Sequence, residues 1–309
     1  MLKLREWIDI NKLHPYGLSQ NLNAIELLKN HPEKIDWLSL SRNPNAIEIL
    51  KHNMDKIEWW YLSENPNAID ILKKNPDKII WYQLCKNPNA MDIIRSYPDK
   101  IDYNALSINP NAIDILKDNT NKINWDWLSH NPNAIDIMRD NIGSVNWFGL
   151  MDNPNGMELL KEHPDKINWM YLSQSKYAIK LLRDNPDMIN WNILSSNPNA
   201  IDMLKNNLTK INWELLTDNE NAIDILKDNV DKINWDCFSY NPNAMDILEQ
   251  NRDKIKWKDI SSNPSIFVYD YQKMQEITNI FKEELMAAVY HPRRFERYLI
   301  EYDYDMGDL

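Results

Sequence analysis

One 22-residue motif occurs twelve times in this chain, with no insertion or deletion between copies. Its clearest form is Asn-Pro-Asn-Ala, followed by a run such as Ile-Asp-Ile-Leu-Lys, then Lys-Ile-Asn-Trp and Leu-Ser. The alanine position of the motif falls at Ala24, Ala46, Ala68, Ala90, Ala112, Ala134, Gly156, Ala178, Ala200, Ala222, Ala244 and Ile266. An unbroken period of this length is typical of a stacked repeat array. It predicts a long surface for partners rather than a globule with a central cleft.

Composition narrows the class of protein further. The chain has 309 residues, of which 43% are hydrophobic, which is enough for a continuous core. The net charge of −11 argues against binding of a nucleic-acid phosphate backbone. No apolar stretch is long enough to span a membrane, and the first residues do not resemble a signal peptide.

The two cysteines predict free thiols. Cys85 and Cys237 lie about seven repeats apart, which corresponds to roughly 60 Å at the usual spacing of packed helices. A disulfide needs Cα atoms within about 7 Å, so the two cannot pair within the chain. We expect both to be small packing residues in a reducing compartment.

The motif predicts two helices per unit. Asn109, Pro110 and Asn111 are helix-start residues, and a helix of roughly ten residues should follow them. Its apolar stripe consists of Ala112, Ile113, Ile115 and Leu116. Asn124 should cap a second, shorter helix from Trp125 to Ser129. Neither helix buries its apolar face alone, so the sequence predicts an all-α, right-handed α-solenoid of about twelve units, each with one longer and one short α- or 3₁₀-helix.

The stacked units place equivalent residues in ladders. The aromatic position runs Trp37, Trp59, Trp81, Tyr103, Trp125, Trp147, Trp169, Trp191, Trp213, Trp235 and Trp257. A base-stacking platform is one interpretation, but packing in the core is favoured, so that Trp125→Ala should cost about 3–5 kcal/mol. The asparagines should form a hydrogen-bonded ladder between turns. The repeated acids and bases predict a solvated, salt-bridged surface.

Catalytic signals are absent from the sequence. The six histidines fall mostly at different positions of the motif, without metal-ligand spacing. There is no glycine-rich phosphate loop and no nucleophile elbow. We therefore expect a protein without enzymatic activity, metal or cofactor.

The ends of the array depart from the motif. The pattern predicts an N-terminal cap or degenerate repeat at 1–22, a solenoid at 23–266 and a C-terminal helical cap at 267–309. The C-terminal part should contain an amphipathic helix at 270–289 and a last helix from Arg293 to Glu301. The arginines of that last helix are Arg293, Arg294 and Arg297. A cap is favoured over a docking element because free ends of an array need covering. Twelve helix-spaced units predict an open, curved rod on the order of 100 Å long.

Two adjacent units are irregular. Gly156 stands at an alanine position, and Ser175, Lys176 and Tyr177 replace the Asn-Pro-Asn sequence. A hinge or binding hot spot and neutral drift are equally good interpretations of these changes.

Candidate binding residues come from positions where the motif varies. The residues one and five places after the ladder aromatic should share the outer side of the short helix, and we call them the variable row. Such positions are where a solenoid encodes specificity. Candidate partner-binding residues in or beside this row are Trp60, Tyr82, Ile108, His130, Phe148, Met170, Tyr171 and Tyr240.

The motif also resembles known repeat families. The segment from Leu128 to Ala134, between a short and a longer helix, is similar to the leucine-rich-repeat variant, an α-solenoid. The combination of Asn-Pro-Asn-Ala-Ile with Lys-Ile-Asn-Trp more closely resembles repeat proteins of giant, mimivirus-type DNA viruses, over nearly the whole chain. That likeness implies a viral protein in the cytoplasm of the infected host cell or the virus factory, or in the virion.

Three functions follow as hypotheses. The favoured one is a non-enzymatic protein–protein interaction scaffold or adaptor whose partner is a viral or host protein. The alternative is a structural component of the virion or virus factory that associates with itself. A helical-repeat nucleic-acid reader is less favoured because it needs a basic stripe. No membrane partner is expected.

Overall fold

Each unit folds into three short helical segments. The computed structural model describes residues 1–289 and 291. In the unit that begins at Asn109, the α-helix Ile113–Lys117 precedes the 3₁₀ turn Thr120–Lys122 and a second α-helix, Trp125–Leu128. We call these the Ile helix, the 3₁₀ turn and the Trp helix. The all-α repeat architecture predicted from the period is confirmed.

The three kinds of segment recur along the chain. The Trp helices are Pro15–Gln20, Trp37–Arg42, Trp59–Glu64, Trp81–Lys86, Tyr103–Leu106, Trp125–Leu128, Trp147–Met151, Trp169–Leu172, Trp191–Leu194, Trp213–Thr217, Trp235–Phe238 and Trp257–Ile260. The Ile helices are Ile25–Asn30, Ile47–Lys51, Ile69–Lys74, Met91–Ser96, Ile113–Lys117, Ile135–Asp140, Met157–Glu162, Ile179–Asp184, Ile201–Lys205, Ile223–Lys227 and Met245–Gln250. The 3₁₀ turns are Ile10–Lys12, Pro32–Lys34, Met54–Lys56, Pro76–Lys78, Pro98–Lys100, Thr120–Lys122, Ile142–Ser144, Pro164–Lys166, Pro186–Met188, Leu208–Lys210, Val230–Lys232 and Arg252–Lys254, with two more at Pro44–Ala46 and Pro264–Ile266.

The Ile helix is shorter than the roughly ten residues expected. Asn109 does not cap it, because its side-chain oxygen accepts from the amide of Asn111 and so forms a turn before the helix. The cap position is Ala112, which has no side-chain acceptor. At the other end, the side-chain Nδ2 of Asn119 donates back to the carbonyl of Ile115. The predicted cap of the Trp helix is confirmed, since Asn124 accepts from the amide of Trp127.

The buried asparagines form the expected ladder. Asn131 Nδ2 donates to two carbonyls of the preceding unit, Ser107 O at 3.0 Å and Asn109 O at 2.9 Å. The same pair of bonds recurs from unit to unit, but Asn241 keeps only the bond to Asn219 O, and Ser175 makes neither. Each pair satisfies buried backbone carbonyls that would otherwise be costly to bury.

A second ladder runs through the serine at the end of most Trp helices. Ser129 Oγ donates to Trp125 O and accepts the backbone amide of Asn146 in the next unit. One hydroxyl thus satisfies a carbonyl near the helix end and holds the next Trp helix in register. The repeat therefore fixes neighbouring units through polar contacts as well as through the buried Leu116 and Leu128.

The array from Trp7 to Ile266 closes on itself. Asn21 Nδ2 donates to Ser261 O at 3.2 Å and to Asn263 O at 2.9 Å, the pair of bonds that Asn131 and most other ladder asparagines make to the unit before them. The amide of His14 donates to Ser261 Oγ at 2.8 Å, which repeats the serine ladder. The first Trp helix also packs against the last one, Trp257–Ile260. The first and twelfth units are therefore neighbours.

Gly17 permits this closure. A Cβ atom on Gly17 would lie 2.7 Å from Ser261 Cβ and 3.0 Å from the amide nitrogen of Ser262. Both distances are shorter than ordinary contacts, and the amide belongs to the backbone. Gly149, six units later at the same position of the motif, faces a similar approach by Ser129 and His130.

The expected open rod is therefore wrong, as is the expectation that the first unit covers a free end. Twelve steps at helix spacing make the circumference of a ring about 30–38 Å across at the helix axes, instead of a rod on the order of 100 Å. Between Pro15 and Leu106, adjacent Trp helices approach each other more closely than adjacent Ile helices do. In a closed array the more closely spaced elements lie inside, so the Trp helices form the inner layer.

A second compact unit consists of Met1–Glu6 and the described chain from Phe267. Its strands Leu2–Leu4 and Phe267–Tyr269 pair antiparallel, with Leu4 opposite Phe267. The α-helix Tyr271–Val289 follows, close to the predicted 270–289, and has no buried residue within the described chain. The expected last helix from Arg293 to Glu301, with Arg293, Arg294 and Arg297, lies outside the described residues.

Candidate functional site

The variable row lies on the Trp helices and carries exposed apolar side chains. The exposed fractions are 47% for Trp60, 55% for Phe148, 57% for Met170, 37% for Tyr171 and 55% for Tyr240. His130 is also exposed, whereas Tyr82 and Ile108 are half-buried. Large apolar side chains at this exposure are characteristic of contact surfaces when they cluster.

The structure brings some of these residues together. The rings of Trp60 and Tyr82, in adjacent units, stack with centroids 6.1 Å apart. Phe148 and Tyr171 meet edge to face at 5.8 Å. The row therefore contains two aromatic clusters, one at Trp60 and Tyr82 and one at Phe148 and Tyr171. Ile108 and Tyr240 lie in other units.

The sequence interpretation missed Trp127. Its ring centroid lies 6.3 Å from that of Tyr82, although the two residues belong to units separated by a third. Apart from Tyr171, no residue two places after the ladder aromatic was named as a candidate. The variation at this position between Gln83, Ala105 and Trp127 was the available signal that it is not a fixed core position.

The rings of the aromatic ladder are half-buried. Lysines of the 3₁₀ turn in the next unit cover several of its rings. Lys122 Nζ lies 4.3 Å from the ring centroid of Tyr103, and Lys210 lies 4.3 Å from that of Trp191. Trp125 is half-buried and Leu128 is fully buried, and the cost of about 3–5 kcal/mol expected for Trp125→Ala stays a prediction.

The repeated acids form two kinds of ion pair, depending on whether the acid is a glutamate or the shorter aspartate. Glutamates reach the lysine three residues later in their own helix, as in Glu48–Lys51 at 2.8 Å. The shorter aspartates pair with the base of the preceding unit instead, as in Arg95–Asp114 at 2.9 Å. These pairs are exposed and contribute little stability each, but the aspartate pairs link adjacent Ile helices.

Both cysteines are free, as expected. Burial raises the pKa of the Cys85 thiol to about 11. Burial, together with the hydrogen bond to Asp218, raises the pKa of the Cys237 thiol to about 12. Both thiols are therefore protonated at neutral pH, which argues against a nucleophilic role.

Alkylation by iodoacetamide tests this assignment. At pH 8 we expect both native thiols to react at least about 100-fold more slowly than in urea, where the pKa returns to ~8.5 and far more thiolate is present. The rate at the half-buried Cys237 should rise as the pH approaches 11. Fast modification of native Cys237 at pH 8, measured by peptide mass spectrometry, would contradict the raised pKa.

Several open grooves lie along the array. One of about 310 Å³ is lined by Asp218, Glu220, Cys237 and Tyr240, next to the variable row. Another of about 260 Å³ includes Tyr171. A third of about 560 Å³ lies between Ile helices and 3₁₀ turns, beside Trp37 and Lys56.

The described residues contain no cluster of three or more His, Cys, Asp or Glu side chains suited to a metal ion. Over the same part of the chain, no helix is both long and apolar enough to cross a membrane. No protein-family model, no curated protein and no solved structure matches this chain. The resemblance to repeat proteins of giant viruses therefore stays a prediction.

Proposed function

We propose that this protein is a non-enzymatic scaffold or adaptor that binds another protein through the variable row. The observation that carries the proposal is the group of exposed apolar side chains at Phe148, Met170 and Tyr171 on adjacent Trp helices. Aromatic and methionine side chains are enriched at protein interfaces and dominate their binding energy.

The closed array suits such a surface because it holds the backbone still. The asparagine and serine ladders fix the helix Trp147–Met151 to the unit before it and the helix Trp169–Leu172 to the unit after it. Within the described chain, neither ladder continues between these two helices, where Met151 and Ser175 occupy the serine and asparagine positions. A rigid surface loses little conformational entropy when a partner binds, so more of the contact energy appears as affinity.

The double substitution Phe148→Ala with Met170→Ala should weaken partner binding by at least about 2 kcal/mol, roughly thirtyfold in Kd. Partners would be captured from extracts of giant-virus-infected host cells and identified by mass spectrometry. Binding of each purified candidate to the native protein and the variant would then be measured by calorimetry. Stability should barely change, because both side chains are exposed.

Met188→Ala with Leu208→Ala is the matched control. Both side chains are 48% exposed and apolar, but they lie on 3₁₀ turns, away from the variable row. The control should leave affinity unchanged. Equal losses in the two double variants, or none in either, would exclude the variable row as the binding surface.

A further inference from the structure

Trp60, Tyr82 and Trp127 form an aromatic cluster that already holds a cation. Lys86 Nζ lies 4.1 Å from the ring centroid of Tyr82 and 4.9 Å from that of Trp127. The two rings are inclined at 65° to each other, so they form two walls around the ammonium group. Trp60 extends the first wall by stacking on Tyr82. We call these three rings the aromatic cage.

The unit between the two walls makes the cage possible. Asn104 and Ala105 occupy the motif positions that carry Tyr82 and Trp127 in the neighbouring units. Their side chains are small, and Ala105 is buried. The larger rings on either side therefore meet across this unit, and Lys86 reaches over it.

Lys86 is held there weakly. Within the described chain its polar head makes ring contacts but no hydrogen bond and no ion pair. Lys86, Tyr82 and Trp127 are only half-buried, so water still reaches the ammonium group and limits what its ring contacts contribute. A long, flexible lysine side chain is therefore readily displaced by a cation that is less hydrated or better tethered.

We propose that the aromatic cage is a binding site for a cationic side chain of a partner protein, which takes the place of Lys86. The ligand is an alkylammonium or guanidinium group, and a methylated ammonium fits best because it is poorly hydrated. The net charge of −11 favours a basic partner. This inference rests on the proposed function in naming a protein as the source of the cation, and it specifies the chemistry of recognition.

The first experiment uses small probes and the purified full-length protein, so it is independent of any partner. Lys86→Ala empties the cage without altering its rings. The variant should bind choline with a Kd on the order of 1–10 mM, at least about fivefold tighter than the native protein. Binding is followed by the shift of the Trp127 indole N–H signal in NMR spectra. The neutral isostere 3,3-dimethyl-1-butanol should bind at least about tenfold more weakly, because it lacks the charge.

Lys56→Ala is the matched control. Lys56 lies 4.8 Å from the centroid of a single ring, that of Trp37, so its removal leaves one wall rather than a cage. This variant should bind choline no better than the native protein. Tyr82→Leu in the Lys86→Ala background should abolish choline binding while keeping an apolar side chain in place, and its far-ultraviolet circular dichroism and NMR spectra establish that it is folded.

The outcomes separate the possibilities. Equal binding of choline and its neutral isostere, or no binding of choline to Lys86→Ala, would overturn the cage. A short peptide containing trimethyllysine should bind more tightly than choline, and the reverse order would point to a free organic cation and overturn the protein source. Partner binding that depends on Phe148 and Met170 would still stand if the cage failed, so the two proposals fail separately.

Discussion

Asn21→Ala should open the closed array and lower the free energy of unfolding by about 3–5 kcal/mol. Asn21 Nδ2 makes the two bonds to Ser261 O and Asn263 O, and its side-chain oxygen accepts the amide of Asn23. Alanine removes all three bonds and leaves buried carbonyls unpaired. No covalent link joins the first and twelfth units directly, so the array should part there.

Urea unfolding gives the loss of stability, and amide hydrogen exchange locates it. The amide of His14 donates to Ser261 Oγ across the closure, so its exchange should become fast in Asn21→Ala. The equivalent amide of Asn124, which donates to Ser107 Oγ within the array, should stay protected. Asn131→Ala breaks the equivalent bonds at the interface that contains Asn124. In this variant the amide of Asn124 should exchange fast and that of His14 should stay protected. Rapid exchange of His14 in the native protein would show that the array is open in solution.

The sequence predicted the unit because each position of the motif has a local physical reason. The cap at Asn124, the buried Leu128 and the asparagine ladder all follow from hydrogen bonding and periodicity within one or two units. The length of the Ile helix was wrong because Asn109 uses its side chain for the turn and for the preceding unit. Helix propensity does not show whether the Asn109 side chain caps a helix or bonds to the turn and the preceding unit.

Closure was missed because it depends on the rotation between units. In a ring of twelve units, each unit is rotated by about 360°/12, or about 30°, relative to the one before it. This angle cannot be read from the residues of the motif. Degenerate end units are expected both of caps and of a closing interface. The distinguishing signal was that Asn21, Ser261 and Asn263 keep the ladder residues, which a free end would not need.

For the candidate site, the sequence identified exposed positions but not their contacts. Trp60 and Tyr82 are one period apart, so their stacking follows from the repeat. Trp127 meets Tyr82 across an intervening unit because Ala105 is small and the Trp helices lie on the inner side. Such a contact depends on the curvature of the array, which the motif alone does not give.

The irregular unit at Ser175 lacks its part of the asparagine ladder. Ser175 is 3% exposed, and its hydroxyl has no hydrogen-bond partner. An asparagine here would donate to Met151 O and Asn153 O and accept the amide of Tyr177, as Asn197 does one unit later with its own neighbours. Among the described residues nothing donates to Met151 O, so this interface has fewer ladder bonds than the other interfaces of the array.

Ser175→Asn should therefore raise the free energy of unfolding by about 2–3 kcal/mol, an uncommon direction for a substitution at a buried site. Up to three hydrogen bonds form on a backbone that already has the turn of the other units, since Ala178 donates to Ser175 O as its equivalents do. Urea unfolding measures the gain. Ser175→Ala is the matched control: it removes the unpaired hydroxyl without supplying an amide and should change stability by less than about 1 kcal/mol. If Ser175→Asn destabilises the protein, the backbone at this interface differs from the other units, and the missing ladder bonds do not weaken it.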